Sequence, residues 1–145
     1  RVEDASTLHE ALAQSLREAE LQYRHFPKLG GLRKPKNDSL NDGWRNASFR
    51  GYADSMQTDE FFKALEALMA ESRLQPSVIM CAEAVPWRCH RSLIADALVT
   101  RGWEVSHILS QAKADEHRLT PFAVIDGDRL IYPQPTDPLD PPRLF

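Results

Sequence analysis

The chain has 145 residues, of which 42% are hydrophobic and 27% charged, with a formal net charge of −3 and a pI near 6.0. This balance excludes a disordered or fibrous chain and argues against broad electrostatic binding to nucleic acid. No apolar run approaches the ~20 residues that span a bilayer, so we expect one soluble, cytoplasmic domain over residues 1–145. The two cysteines, Cys81 and Cys89, cannot form a disulfide framework and are typical of a reducing compartment.

The first part of the chain is predicted to contain two helices, a short strand and a long loop. Apolar residues at steps of three and four predict an amphipathic helix over 6–21, and the alternating segment 21–26 predicts a short strand. Residues 33–50 form a polar stretch without periodicity, which is typical of a lid or a binding loop. Trp44 is expected to anchor this loop to the core, and a short helix is expected over 49–56.

The second part alternates between helices and strands. Thr58 is a suitable N-cap for the helix that follows it, and the continuous apolar run 78–80 predicts a strand covered on both faces. A helix is predicted over 93–101, with Gly102 as its C-terminal stop. Residues 103–109 then have the composition of another strand.

Helix, strand, helix and strand in this order predict a right-handed crossover and therefore a parallel sheet covered by helices. Asp126 and Gly127 lie between two apolar runs, which predicts a β-hairpin. The proline-rich residues 133–145 are expected to be extended. The predicted fold is therefore α/β, a three-layer fold with a mostly parallel sheet flanked by helices, a C-terminal hairpin and an extended tail.

The strand-to-helix junction at 81–92 concentrates ionisable side chains. At this edge of a parallel sheet, a helix N-terminus presents unpaired amides and partial positive charge to a ligand. Arginines suit a phosphate or carboxylate, whereas Glu83 suits acid/base chemistry. We therefore expect an enzyme that acts on a small anionic or nucleotide-like substrate. The predicted catalytic residues are Glu83, His90, His117 and Cys81, and the predicted anion-binding residues are Arg88, Arg91, Arg24, His25 and Thr120.

Two further histidines follow the junction. His107 shares a strand face with Val105 and Leu109, which predicts a buried imidazole with a hydrogen-bond partner. His117 lies in a polar loop after that strand, at the same carboxyl edge of the predicted sheet as Glu83. We therefore expect His117 and Thr120 to reach a shared cleft.

Two other functions fit parts of the sequence. A non-catalytic module could bind nucleic acid or a nucleotide through a basic segment. That segment comprises Arg24, Lys28, Arg33, Lys34 and Lys36. Phosphatase-like or sulfurtransferase-like chemistry would use Cys81, but Arg88 follows seven positions later and Pro86 has no amide for an anion loop. Cys81, Cys89 and His90 match no common zinc spacing, so no metal is predicted, and no particular cofactor or oligomeric state is indicated.

Several segments resemble the family catalogued as domain of unknown function 488. They are MCAEAVPWRCHRSLIADAL, RGWEVSHI, HRLTPF, HFPKLGG and FRGYADSMQTDEF, and the resemblance covers nearly the whole chain from Leu21 to Pro133. The resemblance implies an α/β fold but supplies no reaction. It places Cys81, Glu83, Cys89, His90, Arg91, His107 and His117 on recurrent motif positions. Members usually begin with strands carrying Thr-Ile-Gly-His-Ser-like and Asp-Val-Arg-like segments, and neither segment precedes Val2, so we expect the N-terminal strand region to be missing.

Overall fold

Four helices supply most of the regular structure in the part of the chain that is described. The computed structural model describes residues 5–31, 33–81 and 89–134, with side chains from residue 10 onward. The helices are α1 (Ala5–Glu18), α2 (Ala47–Ser55), α3 (Asp59–Leu74) and α4 (Arg91–Val99), with a 3₁₀ turn at Pro27–Leu29. Across these residues, no helix has both the length and the apolar character needed to cross a membrane.

Local capping explains where the helices begin and end. The Asn46 side chain accepts a hydrogen bond from the Ser48 amide at 2.8 Å, and Thr58 accepts one from the Phe61 amide at 3.3 Å. These bonds satisfy amides that have no partner within α2 and α3. Gly102 follows α4 with a φ of 85°, the left-handed geometry that ends helices. The helices predicted over 6–21, over 49–56, after Thr58 and over 93–101 are confirmed as α1 to α4, with bounds that differ by a few residues.

The strands form two separate hairpins. In the first, β1 (Ser106–Ser110) pairs antiparallel with β2 (Lys113–Glu116). In the second, β3 (Val124–Asp126) pairs antiparallel with β4 (Arg129–Ile131). Gly127 connects β3 and β4 with a φ of 63°, a conformation that glycine adopts without strain. The hairpin predicted at Asp126-Gly127 is confirmed.

The predicted three-layer fold with a mostly parallel sheet is wrong. The described residues contain only the two antiparallel two-stranded sheets, β1–β2 and β3–β4. Residues 76–81 are in neither helix nor strand, and Val78 and Met80 are 70% and 60% exposed, so the apolar run is not a buried strand. The strand predicted at 103–109 forms only from Ser106 onward, as β1, and it pairs with the segment directly after it. A short local turn costs less loop-closure entropy than a crossover, which favours this pairing.

Two smaller predictions for the first part of the chain have opposite outcomes. Residues 21–26 form no strand and lead directly into the 3₁₀ turn. Trp44 does anchor the long loop, since its ring lies 4.8 Å from the Phe122 ring and 5.4 Å from the Tyr132 ring. The loop is therefore tied to the aromatic part of the core.

The core joins the helices to the C-terminal segment. Tyr52, Leu65 and Leu93 contribute buried side chains from α2, α3 and α4, and Phe122 and Tyr132 complete the cluster from the other end of the described chain. Burial of these side chains removes apolar surface from water, the main favourable contribution to folding. This packing brings α4 against residues 117–132, where the candidate site lies.

Candidate functional site

Asp96 is a fully buried carboxylate near the middle of α4, among the buried side chains of Leu93 and Ala97. A buried charge is costly unless hydrogen bonds compensate it. Asp96 accepts four: from His117 Nε2 at 2.7 Å, the Thr120 amide at 3.0 Å, Thr120 Oγ1 at 2.6 Å and the Tyr132 hydroxyl at 2.8 Å. A carboxylate offers about four lone-pair sites. Asp96 is thus fully satisfied by donors from the segment after β2.

His117 connects this carboxylate to a second imidazole. Its Nδ1 lies 2.7 Å from His107 Nε2, and its own side chain is only 8% exposed. Because Asp96 only accepts, His117 Nε2 carries a hydrogen and, in the neutral ring, Nδ1 has the lone pair. His107 Nε2 must then donate, which leaves the lone pair of neutral His107 on Nδ1. The three side chains form a continuous hydrogen-bonded chain from α4 to β1.

His107 is the half-buried end of this chain. Burial lowers its pKa from the usual 6.5, and electrostatic interactions with His117 and Arg91 lower it further, while Asp96 and Asp115 act in the opposite direction. A lowered pKa favours the neutral imidazole near pH 7. The neutral His107 ring therefore has a lone pair on Nδ1. The sequence prediction of a hydrogen-bonded imidazole is confirmed, although its burial is only partial.

His90 and Cys89 lie at the start of α4. The His90 ring packs 4.9 Å from the Tyr52 ring, and a Cβ added at Gly31 would come within 3.0 Å of His90 Nδ1. Burial lowers the pKa of His90, and Arg91 lowers it further. Cys89 is buried, with its Sγ 3.6 Å from His90 Nδ1, and neither it nor Cys81 is in a disulfide. Arg91 thus lowers the pKa of both His90 and His107.

A family model described as "Domain of unknown function DUF488" matches residues 4–98, well over half of the chain. The chain belongs to the DUF488 family. This confirms the resemblance seen in the sequence motifs. No curated protein and no solved structure matches the chain. The matched region contains Asp96, and the histidine pair follows it.

The structure of this DUF488 protein brings some of the predicted site residues together. His117 and Thr120, which were expected to reach a shared cleft, both hydrogen-bond to the buried Asp96. His90 and Arg91 are neighbours at the start of α4, and the field of Arg91 extends to His107. The predicted residues that meet therefore form two groups, one on Asp96 and one at the start of α4.

The other predicted site residues are separate or lie outside the described residues. Arg24 is exposed, forms an ion pair with Glu71 and packs over the Phe26 ring at 4.8 Å. His25 is exposed as well, and Cys81 is partly exposed at the end of the irregular segment 76–81. Glu83 and Arg88 lie outside the described residues, so their predicted roles stay predictions.

Sequence reasoning missed the centre of the cluster. Asp96 carried one usable signal: it is a carboxylate inside the apolar stretch LIADAL, and buried acidic residues almost always have partners. Tyr132 carried no such signal, because an aromatic residue at the end of a hairpin strand is ordinary. Its hydroxyl contact with Asp96 depends on tertiary packing.

A crevice of about 220 Å³ lies between the end of α4 and the β3–β4 hairpin, lined in part by Arg101 and Arg129. Both arginines already have partners: Arg101 donates to the Ala97 carbonyl at 3.0 Å, and Arg129 pairs with Asp126 at 3.2 Å. Among the residues that the structure describes, no group of three or more His, Cys, Asp or Glu side chains is placed to bind a metal ion. The histidine pair is therefore the better candidate for chemistry.

Proposed function

We propose that this DUF488 protein is an enzyme that performs general acid–base catalysis on a small anionic or nucleotide-like substrate. The observation that carries the proposal is the hydrogen-bonded chain from Asp96 through His117 to His107. A carboxylate that orients an imidazole, with a proton acceptor at the other end, is the arrangement that acid–base catalysis requires. The hydrogen bonds in such a chain polarise one another in a low-dielectric interior.

The chain defines a route for a proton. His107 Nδ1 accepts a proton from a substrate hydroxyl or amine, and His107 Nε2 passes its own proton to His117 Nδ1. His117 then becomes the imidazolium, with its Nε2–H still donating to Asp96 at 2.7 Å. The positive charge therefore comes to rest beside the buried carboxylate, where Coulomb attraction is strongest. Reversal of these transfers returns the proton to the product.

Arg91 supplies the anion-binding charge in this proposal. Its guanidinium is close enough to lower the pKa of both His90 and His107, so an anionic group near Arg91 would place the rest of a small substrate beside the histidines. In this proposal, His90 lies on the side that faces the substrate. Thr120 supports Asp96 through its hydrogen bonds. Glu83, Cys81 and Arg88 are proposed as additional groups on the preceding segment.

Surface charge favours a small ligand over nucleic acid. Two of the basic side chains in the segment from Arg24 to Lys36 already pair with carboxylates of α3, Arg24 with Glu71 and Lys28 with Glu60. Pairing reduces the positive charge available to release counterions from a phosphate backbone. A dissociation constant that rises steeply between low and moderate salt would instead support the nucleic-acid-binding alternative.

The proposal is tested with a panel of nucleotides, phosphorylated metabolites and small carboxylates, screened by thermal shift and by turnover. We expect His107→Gln to lower turnover by about 10²–10⁴-fold, the usual contribution of a general base, and to keep the ligand-induced thermal shift. Arg91→Gln should lose the thermal shift for anionic ligands. Arg129→Gln, which removes an exposed arginine on β4, is the matched control and should change neither quantity. Equal turnover in the wild type and His107→Gln, or no ligand for either protein, would refute the proposal.

A further inference from the structure

Tyr132 is held at both its side chain and its backbone. It is fully buried, its hydroxyl donates to Asp96 Oδ2 at 2.8 Å, and its amide donates to Asn41 Oδ1 at 2.9 Å. Its ring packs against the rings of Trp44 and Phe122, at 5.4 Å and 5.8 Å between centroids. The hydroxyl therefore has little freedom to leave Asp96.

The partner of the Tyr132 amide belongs to a second buried polar cluster. Asn41 is fully buried, and its Nδ2 donates to Asp54 Oδ1 at 2.7 Å. Asp54 also accepts from the Lys36 amide at 2.8 Å and from Ser39 Oγ at 2.5 Å. Tyr132 thereby links the long loop to the carboxylate that orients the histidines.

We propose that Tyr132 is a positioning residue that sets the basicity of the His107–His117 pair through its hydrogen bond to Asp96, which deepens the proposed function and rests on it. Each donor to a carboxylate disperses its negative charge. Without the Tyr132 hydroxyl, Asp96 is a stronger acceptor for His117 Nε2–H and stabilises the protonated pair. With the hydroxyl, the pair releases its proton more readily.

The phenol is suited to this role at every pH at which histidines titrate. Burial raises the pKa of Tyr132 well above its usual value, and the neighbouring Asp96 charge raises it further. The hydroxyl therefore keeps its hydrogen and remains a donor. The titratable and charged groups that act on His107 are His117, Arg91, Asp96 and Asp115, and a Tyr132 substitution removes none of them.

The test is a histidine NMR titration of Tyr132→Phe, without substrate. The apparent pKa values of the histidine pair are expected to shift upward relative to the wild type, because two coupled imidazoles titrate as a pair. Tyr52→Phe is the matched control: it removes another buried hydroxyl, which donates to the Leu29 carbonyl at 2.8 Å rather than to a carboxylate. It should leave the titration of the pair unchanged.

A second perturbation keeps both the ring and its hydroxyl, in case Tyr132→Phe does not fold. Incorporation of 3-fluorotyrosine into the Tyr52→Phe protein makes the remaining phenols more acidic and Tyr132 a stronger donor, so the titration should shift downward. Opposite shifts, or the downward shift alone if Tyr132→Phe does not fold, support the proposal. An unchanged titration with fluorotyrosine, or an unchanged or lowered one in folded Tyr132→Phe, overturns it. Because the readout needs no turnover, this result is independent of the proposed enzyme activity.

Discussion

At the scale of single residues, the decisive feature is a carboxylate that is buried and yet fully hydrogen-bonded. Asp96 is inaccessible to solvent, and its four donors come from His117, Thr120 and Tyr132. Buried polar groups are tolerated when every hydrogen-bonding position is filled, and a single unsatisfied group is expensive. The same bonds that stabilise Asp96 also fix the tautomer and the orientation of His117.

Asp96→Asn tests the need for a carboxylate. The amide keeps one oxygen for the two N–H donors, and its NH₂ replaces the oxygen that faces the Thr120 and Tyr132 hydroxyls, which must then turn to accept. We expect the free energy of unfolding to fall by about 1–3 kcal/mol. Chemical denaturation measures it, with Asp126→Asn as the exposed control that should stay within about 0.5 kcal/mol of the wild type. Equal stability of Asp96→Asn and the wild type would contradict the assigned network.

The lowered pKa values of His90 and His107 predict a pH dependence of stability. In the unfolded chain these imidazoles bind protons near their usual pKa of 6.5, whereas in the folded protein they bind them only at lower pH. The unfolded state therefore binds more protons below about pH 6.5, so stability decreases as the pH falls through this range. Denaturation midpoints at pH 7.5 and pH 5.5 measure the effect. A combined His90→Gln and His107→Gln protein should lose less stability on acidification, and an equal or greater loss would contradict the prediction.

At the scale of elements, local patterns predicted the helices and one hairpin but not the sheet. Thr58 and Gly102 mark helix boundaries through interactions within a few residues, and Asp126-Gly127 specifies its own turn. The apolar run 78–80 has no comparable local determinant, because its state depends on which segment pairs with it. Periodicity in an apolar run of that length cannot by itself identify a buried strand.

Gly51 in α2 lies where helix propensity and packing predict opposite changes in stability. Helix propensity alone would make Gly51→Ala stabilising by up to about 1 kcal/mol. A Cβ at this position, however, would come within 2.1 Å of the Arg33 carbonyl oxygen on the loop that packs against α2. Such overpacking typically costs about 1–3 kcal/mol, so we expect a net loss in thermal denaturation.

Ser48→Ala is the control for helix propensity, since Ser48 is exposed on the same helix. Its substitution should be neutral or slightly stabilising. A Gly51→Ala protein that is more stable than the wild type would show that the loop does not pack closely against α2.

At the scale of the whole molecule, the site is assembled by contacts between distant parts of the chain. Asp96 meets His117 and Tyr132, and Tyr132 in turn meets Asn41 across 91 positions. The sequence predicted that His117 and Thr120 reach a shared cleft, but it could not show that both bind the buried Asp96. Convergence of this kind depends on how α4 and the C-terminal hairpin pack, which no local pattern specifies.

Asn41→Ala should weaken this assembly. The substitution removes the acceptor for the Tyr132 amide and the Nδ2 donor to Asp54, and it leaves both buried groups short of a partner. We expect a loss of about 2–4 kcal/mol in the free energy of unfolding, together with faster hydrogen exchange at the Tyr132 amide. Asn37→Ala, at an exposed position of the same loop, is the control. Equal effects of the two substitutions would show that the Asn41 side chain does not hold the loop.

The histidine pair is tested most directly by ¹⁵N NMR of histidine-labelled protein near pH 7. We predict that His107 and His117 are both protonated at Nε2, and that a scalar coupling connects His107 Nε2–H to His117 Nδ1 across their 2.7 Å contact. The coupling should disappear in His107→Gln. Two imidazoles that show no coupling and titrate independently of each other would contradict the proposed acid–base centre.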